Sequence, residues 1–174
     1  LSMFFSGGQA VHYSSDFASV GYYGASHGCV NIRDYEGVKW LFSQVRVGDT
    51  VRRGAGPWTP TIHALLRHLR ASGFDQVPEP LGIDDQGREI ISFLPGQVGT
   101  YPLPDFVLSD ETLDTVARTL RAFHDATQGF VGGPWQWPAH EPIEVICHND
   151  FAPYNMLFED GRLTGIIDWD LASP

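Results

Sequence analysis

Hydrophobic residues recur at helical spacing in three stretches of the chain. Val38, Leu41, Phe42 and Val45 follow the i, i+3, i+4, i+7 pattern, and Asp34 stands where it can cap the short helix they define. Thr59 before Pro60 predicts an N-cap followed by proline at the first helical position. The helix it opens turns Ile62, Leu65, Leu66 and Leu69 inward and is stopped by Gly73. Ser109 caps a longer helix with Leu113, Val116, Ala117, Leu120 and Phe123 as its buried face, and Asp110 and Glu111 suit its positive end. Other stretches read as strands. Residues 1–33, rich in Gly, Ser and Tyr, predict short strands and loops. Residues 83–93 predict a hairpin around Asp84-Asp85-Gln86-Gly87, and residues 144–147 a short strand. Residues 156–158 and 163–167 predict a second hairpin over Glu159-Asp160-Gly161-Arg162.

Composition changes this picture little: 43% hydrophobic and 18% charged residues in 174 exclude a disordered chain. No apolar run reaches the roughly 20 residues needed to cross a membrane. Charge is more informative. Eleven basic against 21 acidic side chains leave a net charge of −10, which disfavours a phosphate backbone as partner. Through Thr50 four acids face three bases, whereas the remainder holds 17 acids and 8 bases. Lys39 is the only lysine, so every fixed positive charge beyond Val51 is an arginine. Cys29 and Cys147 stand too far apart in sequence to suggest a disulfide framework. The chain opens at Leu1 with no basic leader segment, which reads as a cytoplasmic protein without a signal peptide.

The second predicted hairpin carries chemistry. If Phe158 pairs with Leu163, Asn155 and Asp168 emerge together at its open end, with Asp150 in the loop just before. A carboxamide and two carboxylates suit a hard divalent cation with one carboxylate to spare. Mg²⁺ shares substrate phosphates readily, so the arrangement points to phosphoryl transfer: Asn155 and Asp168 as metal ligands, Asp150 as base for an accepting hydroxyl.

His148-Asn149-Asp150-Phe151-Ala152-Pro153-Tyr154-Asn155, followed by Ile166-Ile167-Asp168-Trp169-Asp170, resembles the catalytic loop and metal motif of the aminoglycoside phosphotransferase and choline kinase group. Leu120-Arg121-Ala122-Phe123-His124-Asp125 resembles the helix which that family sets before its catalytic loop. Ile91-Ser92-Phe93-Leu94-Pro95-Gly96 resembles its interlobe linker, which implies that backbone groups of Phe93 and Leu94 meet the adenine of ATP. Within the motif, His148 is expected to bond the loop backbone rather than act as a base. Such kinases hold the nucleotide phosphates with a lysine braced by a helix glutamate. No lysine follows Val51, so Arg52 or Arg53 is expected to stand in, and residues 60–72 contain no acid to serve as brace. The chain stops at Pro174, before the helices that build much of the acceptor pocket in that family.

A second constellation lies near the start. In Ser26-His27-Gly28-Cys29-Val30-Asn31, with His12 upstream, a cysteine beside histidine and glycine suits an activated thiolate next to backbone amides that stabilise an oxyanion. A buried free cysteine in a glycine loop is the alternative. These residues resemble the catalytic motif of L,D-transpeptidases. The resemblance implies Cys29 as nucleophile, His12 as base held by the Tyr13 carbonyl, His27 supporting the oxyanion site, and a peptidoglycan stem peptide as partner. It also implies an extracytoplasmic site, in conflict with ATP chemistry.

The expectation is an α+β chain: a truncated protein-kinase-like core over 49–174, preceded by a short β-rich L,D-transpeptidase-like fragment over 1–48. The seam falls within Val45-Arg46-Val47-Gly48-Asp49-Thr50-Val51, as in a fusion at a shared short sequence or a fragment assembled across it. The first expected activity is ATP- and Mg²⁺-dependent phosphorylation of a small hydroxylated molecule of aminoglycoside type, weak or absent through truncation. Acyl transfer at Cys29 is the second, and an inactive remnant or binding module the third.

Overall fold

A computed structural model describes residues 2–6, 9–13, 30–32, 45–99 and 102–174. Near the start, β1 (Ser2–Ser6), β2 (Gln9–Tyr13) and β3 (Val30–Ile32) form a three-stranded sheet, antiparallel between β1 and β2 and parallel between β2 and β3. The helix predicted from Asp34 falls mostly outside the described residues. Its last expected member, Val45, instead opens strand β4 (Val45–Val47). That strand turns at Gly48 into β5 (Thr50–Gly54) and becomes the edge of a four-stranded antiparallel sheet, ordered β4-β5-β7-β6 with β6 (Pro80–Ile83) and β7 (Arg88–Ser92). The β6–β7 hairpin turns at the expected residues. Asp84 accepts the Gln86 and Arg88 amides, and its carbonyl accepts that of Gly87.

Between β5 and β6 runs α1 (Thr59–Ala71). It begins one residue earlier than the sequence suggests, with Trp58 at the N-cap. The Thr59 hydroxyl, expected to cap the helix, accepts the Gly56 amide at 2.9 Å instead. Ile62, Leu65, Leu66 and Leu69 are buried as expected. The helix closes at Gly73 (φ +84°): Phe74 N–H donates to the Leu69 carbonyl and Gly73 N–H to that of Arg70, the paired bonds of a left-handed C-terminal cap.

Ser109 caps α2 (Asp110–Ala126) by accepting the Thr112 amide. The buried face of this helix differs from the expected one. Thr112, Thr119 and Phe123 are buried, while Leu113 is 66% exposed and Ala117 is exposed. The rotation has a local cause: the Thr112 hydroxyl donates to the Phe106 carbonyl at 2.7 Å, which draws the Thr112 edge inward and turns Leu113 out. Residues 144–147 are not a strand. Cys147 makes an isolated bridge with Ser173, because the nearest chain there is the C-terminal loop and not a sheet edge.

The second hairpin, β9 (Met156–Glu159) and β10 (Arg162–Ile166), is joined on its other edge by β8 (Gln97–Val98). Its two-residue turn places Asp160 at φ +49° and Gly161 at φ +75°, the left-handed pair that matches strand twist. Phe158 pairs with Leu163 as the hydrophobic pattern requires. The main core joins the inner face of α1 to Phe74, Val77, Phe123, Ile146, Ile166 and Trp169. A smaller cluster of Met156, Phe158 and Leu163 lies under Phe106, Val107 and Val116. Among the described residues no helix is long and apolar enough to cross a membrane.

Candidate active site

The hairpin register brings its open end together: the Ile167 amide donates to the Asn155 carbonyl at 2.9 Å, which sets Asn155 beside Asp168. Asn155 sits in a 3₁₀ turn (Pro153–Asn155) and is buried. Its Nδ2 donates to the Asp150 carboxylate at 2.8 Å and to the Asp150 carbonyl at 2.9 Å, so its Oδ1 is left for other partners. The other Asp150 oxygen accepts the Tyr154 hydroxyl at 2.6 Å. Asp168 has a left-handed backbone (φ 62°, ψ 63°) and a half-exposed carboxylate. Trp169 anchors the turn that follows. Its indole N–H donates to the Ile166 carbonyl, and its ring stands edge-on to both Phe123 and His148.

His148 is buried behind the loop. Nε2 contacts the Ile167 carbonyl at 3.0 Å and Nδ1 accepts the Asp150 amide, which requires the neutral tautomer protonated on Nε2. Burial pushes its pKa below the usual histidine value, against weaker opposing effects from the Ile167 carbonyl and nearby carboxylates. It bonds the loop backbone and does not face the cleft.

That cleft, of about 740 Å³, has Val51, Ile91, Leu94 and Leu157 as apolar walls, with Phe93 and Trp58 at its margins. Arg53, Asn155, Asp168 and Asp170 supply its polar side. Phe93, Leu94, Arg53, Asn155 and Asp168, all proposed from sequence, therefore line one cavity. The Phe93 amide is already committed to the Asp49 carbonyl at 2.8 Å. Strand alternation separates the two candidate arginines. Arg53 shares the inward face of β5 with Val51, whereas Arg52 turns outward to Asp84 (3.5 Å) and the Thr50 hydroxyl.

Arg53 spans the cleft floor. Nη1 meets Asp168 Oδ1 at 3.0 Å, Nη2 meets Asp170 Oδ1 at 2.9 Å, and Nε bonds Glu89 Oε1. Burial opposes its charge, but Asp170, Glu89 and Asp168 outweigh that and raise its pKa. Asp170 is raised chiefly by burial, with Arg53 acting against the shift. The expected absence of a brace requires correction. Helix α1 indeed offers no acid, but Glu89 on β7, directly opposite Arg53 in the strand register, supplies the carboxylate. His63 of α1 holds the other Glu89 oxygen at 3.0 Å. The sequence held a signal for this: on the alternating strand 88–92, Glu89 shares the buried face of Ile91, and a buried carboxylate demands a partner.

Asn155 Oδ1 and the second oxygen of Asp168 are hard-oxygen donors on one cleft, whose lining carries a further carboxylate in Asp170, a donor set that fits Mg²⁺. Among the described residues no group of three His, Cys, Asp or Glu side chains gathers to hold a metal alone, so phosphate or water oxygens would complete the shell. Of the second constellation, Cys29 and His27 lie outside the described residues. His12 is described only as a backbone position on β2, opposite Ser2 and Asn31.

Residues 134–174 match the phosphotransferase enzyme family, and residues 2–52 match the L,D-transpeptidase catalytic domain. A trifolitoxin immunity protein from Rhizobium leguminosarum bv. trifolii is 38% identical over 138 residues, covering 74% of this chain and 51% of that protein. The chain thus spans about half the length of the curated relative it matches. Two solved structures are similar at 18% identity over 75% of the chain. A choline/ethanolamine kinase family protein from Mesorhizobium loti has 55% of its length covered at a TM-score of 0.51. A macrolide 2'-phosphotransferase from Brachybacterium faecium has 62% covered at 0.52. The α+β core is therefore kinase-like in fold, and the chain resembles phosphotransferases in its C-terminal part and L,D-transpeptidases in its N-terminal part.

Proposed function

We propose that the chain is a phosphotransferase of the small-molecule kinase type, which binds ATP with Mg²⁺ in the Arg53–Asp168 cleft and acts on a small hydroxylated acceptor. One observation carries this reading: Arg53, Asn155 and Asp168 converge on a single apolar-walled cavity, and Asp150 is bonded directly to Asn155. In this reading the apolar walls take the adenine beside Phe93 and Leu94, and Arg53 meets phosphate. Asn155 Oδ1 and Asp168 would hold Mg²⁺, which when bound neutralises phosphate charge. Asp150 keeps lone pairs beyond those used by Tyr154 and Asn155, so its carboxylate can take the proton of an acceptor hydroxyl. Need for ATP assigns the activity to the cytoplasm.

The test is ADP formation from ATP and Mg²⁺ across a panel of aminoglycosides, macrolides and amino alcohols, with wild type and Asp150→Ala compared. Acceptor-dependent turnover in wild type is expected, with a loss of about 100-fold or more in the variant, the scale of a general base. Equal turnover in both sinks the assignment. Binding of ATP without turnover by any acceptor would favour a binding module.

The match of residues 2–52 favours a second reading, cysteine acyl transfer at Cys29 with a peptidoglycan stem peptide as substrate. A carbapenem probe should then label wild type and not Cys29→Ala. Equal labelling removes that reading.

A further inference from the structure

Arg53 would be a poor phosphate ligand if its guanidinium were free to collapse onto the acids around it. Three carboxylates surround it, and each takes a different edge: Glu89 at Nε, Asp168 at Nη1, Asp170 at Nη2. Two of these belong to the cleft, where Mg²⁺ would compete with Arg53 for them and phosphate would compete with them for Arg53. Only Glu89 is remote from the opening. It is 1% exposed, faces Arg53 across the β5–β7 register, and has both oxygens committed. Its second oxygen is held at 3.0 Å by His63 Nε2, itself 6% exposed on α1. A carboxylate only accepts, so His63 must carry its proton on Nε2. The chain His63–Glu89–Arg53 thus runs from helix to strand to cleft through buried side chains.

We propose that Glu89 and His63 are positioning residues for the nucleotide phosphates: Glu89 fixes the Arg53 stem so that its Nη edge can exchange carboxylate for phosphate, and His63 fixes Glu89. This inference rests on the phosphotransferase reading and deepens it. The helix supplies the hydrogen-bond donor and the strand the acid. An arginine is required at the end of the chain because a lysine ammonium cannot hold Glu89 with one edge and offer two parallel donors on the other.

The test compares ATP, in the presence of Mg²⁺, with adenosine as ligands of the full chain, by calorimetry on wild type, Glu89→Gln, His63→Leu, His63→Gln and Arg53→Lys. Adenosine uses the apolar walls and no phosphate contact, so its affinity controls for folding. Glu89→Gln, His63→Leu and Arg53→Lys should weaken ATP by about 10- to 100-fold, the usual effect of losing a partner that orients a ligand-binding group. Adenosine affinity should stay within about twofold of wild type, a negligible change on the scale of binding free energies. His63→Gln keeps an N–H for Glu89 and should recover most of the ATP affinity. Variants that bind ATP like wild type overturn the inference and leave the phosphotransferase reading standing, as does equal loss of ATP and adenosine, which marks a purely structural network. Wild type that binds neither ligand overturns the phosphotransferase reading itself, and the inference with it.

Discussion

His148 shows how one buried side chain ties the loop of Asp150 to the strand of Asp168. Its Nε2–H reaches the Ile167 carbonyl while Nδ1 takes the Asp150 amide, so both neighbours of the chemistry are fixed through a neutral ring. Protonation would turn Nδ1 into a donor facing another donor. Burial accordingly holds the folded pKa below the ordinary value of 6.5. An imidazole depressed in the folded state binds its proton more readily once the chain unfolds, so acid favours unfolding. Stability from this residue is complete above pH 6.5 and is lost as pH falls from there toward the depressed folded value. His124 is depressed too, by burial and then by Arg121, and shares the trend. His148→Gln isolates the part that belongs to His148. Urea unfolding between neutral and mildly acid pH should show a shallower fall in the variant, the difference being at most about 1.4 kcal/mol per pH unit for one proton. Parallel profiles would mean that His148 is free to ionise in the folded chain.

At the scale of elements, the β9–β10 hairpin converts a sequence pattern into a site. Its turn sets Phe158 against Leu163, a one-residue bulge between Leu163 and Gly165 shifts the pairing so that Asn155 meets Ile167, and Asp168 follows as the next residue. Gly161 lies at φ +75°, and a Cβ there would meet only Phe106 Cβ, at 3.9 Å. Gly161→Ala therefore adds backbone strain without a clash and should cost about 1–2 kcal/mol in urea unfolding. ATP affinity should be kept, because the strain sits at the far end of the hairpin. Loss of binding with unchanged stability would contradict that separation. This hairpin was legible in the sequence because its two strands, its turn residues and its polar ends all sit within 14 residues (155–168). The brace of Arg53 was not. It joins residues 53, 63 and 89 from three elements, and nothing local marks Glu89 except its place on the Ile91 face of an alternating strand. The face of α2 was misjudged for a similar reason. Periodicity places Leu113 with Phe123, but the Thr112 hydroxyl bonds a carbonyl six residues back, and that contact decides which edge turns inward.

For the molecule as a whole, the seam expected between residues 48 and 49 falls at the turn of the β4–β5 hairpin. The segment matching L,D-transpeptidases runs through residue 52, so strand β4 and three of the five residues of β5 fall within it. By structure both strands belong to the sheet that carries Arg53 and leads into Phe93. Val45, Arg46 and Val47 pair with Arg52, Val51 and Thr50. The Arg46 guanidinium lies 3.6 Å above the Phe93 ring, and the Asp49 carbonyl takes the Phe93 amide. A strand within the segment that matches L,D-transpeptidases thus covers the edge of the kinase-like sheet, which an unpaired β5 would otherwise expose to association. The folding unit should begin at Val45 and not after Gly48. A chain of residues 45–174 should unfold at the denaturant midpoint of the full chain's cooperative transition. Beginning at Thr50 removes the backbone pairing of β4, at about 1 kcal/mol per hydrogen bond, and a cation–π contact of about 0.5–1 kcal/mol. That shorter chain also loses the Asp49 carbonyl from the Phe93 amide; it should lose about 2 kcal/mol or more on those figures, weaken ATP binding through the freed Phe93 linker, and self-associate in sedimentation runs. Equal stability of the 45–174 and 50–174 chains would return the boundary to Gly48 and leave β4 a bystander.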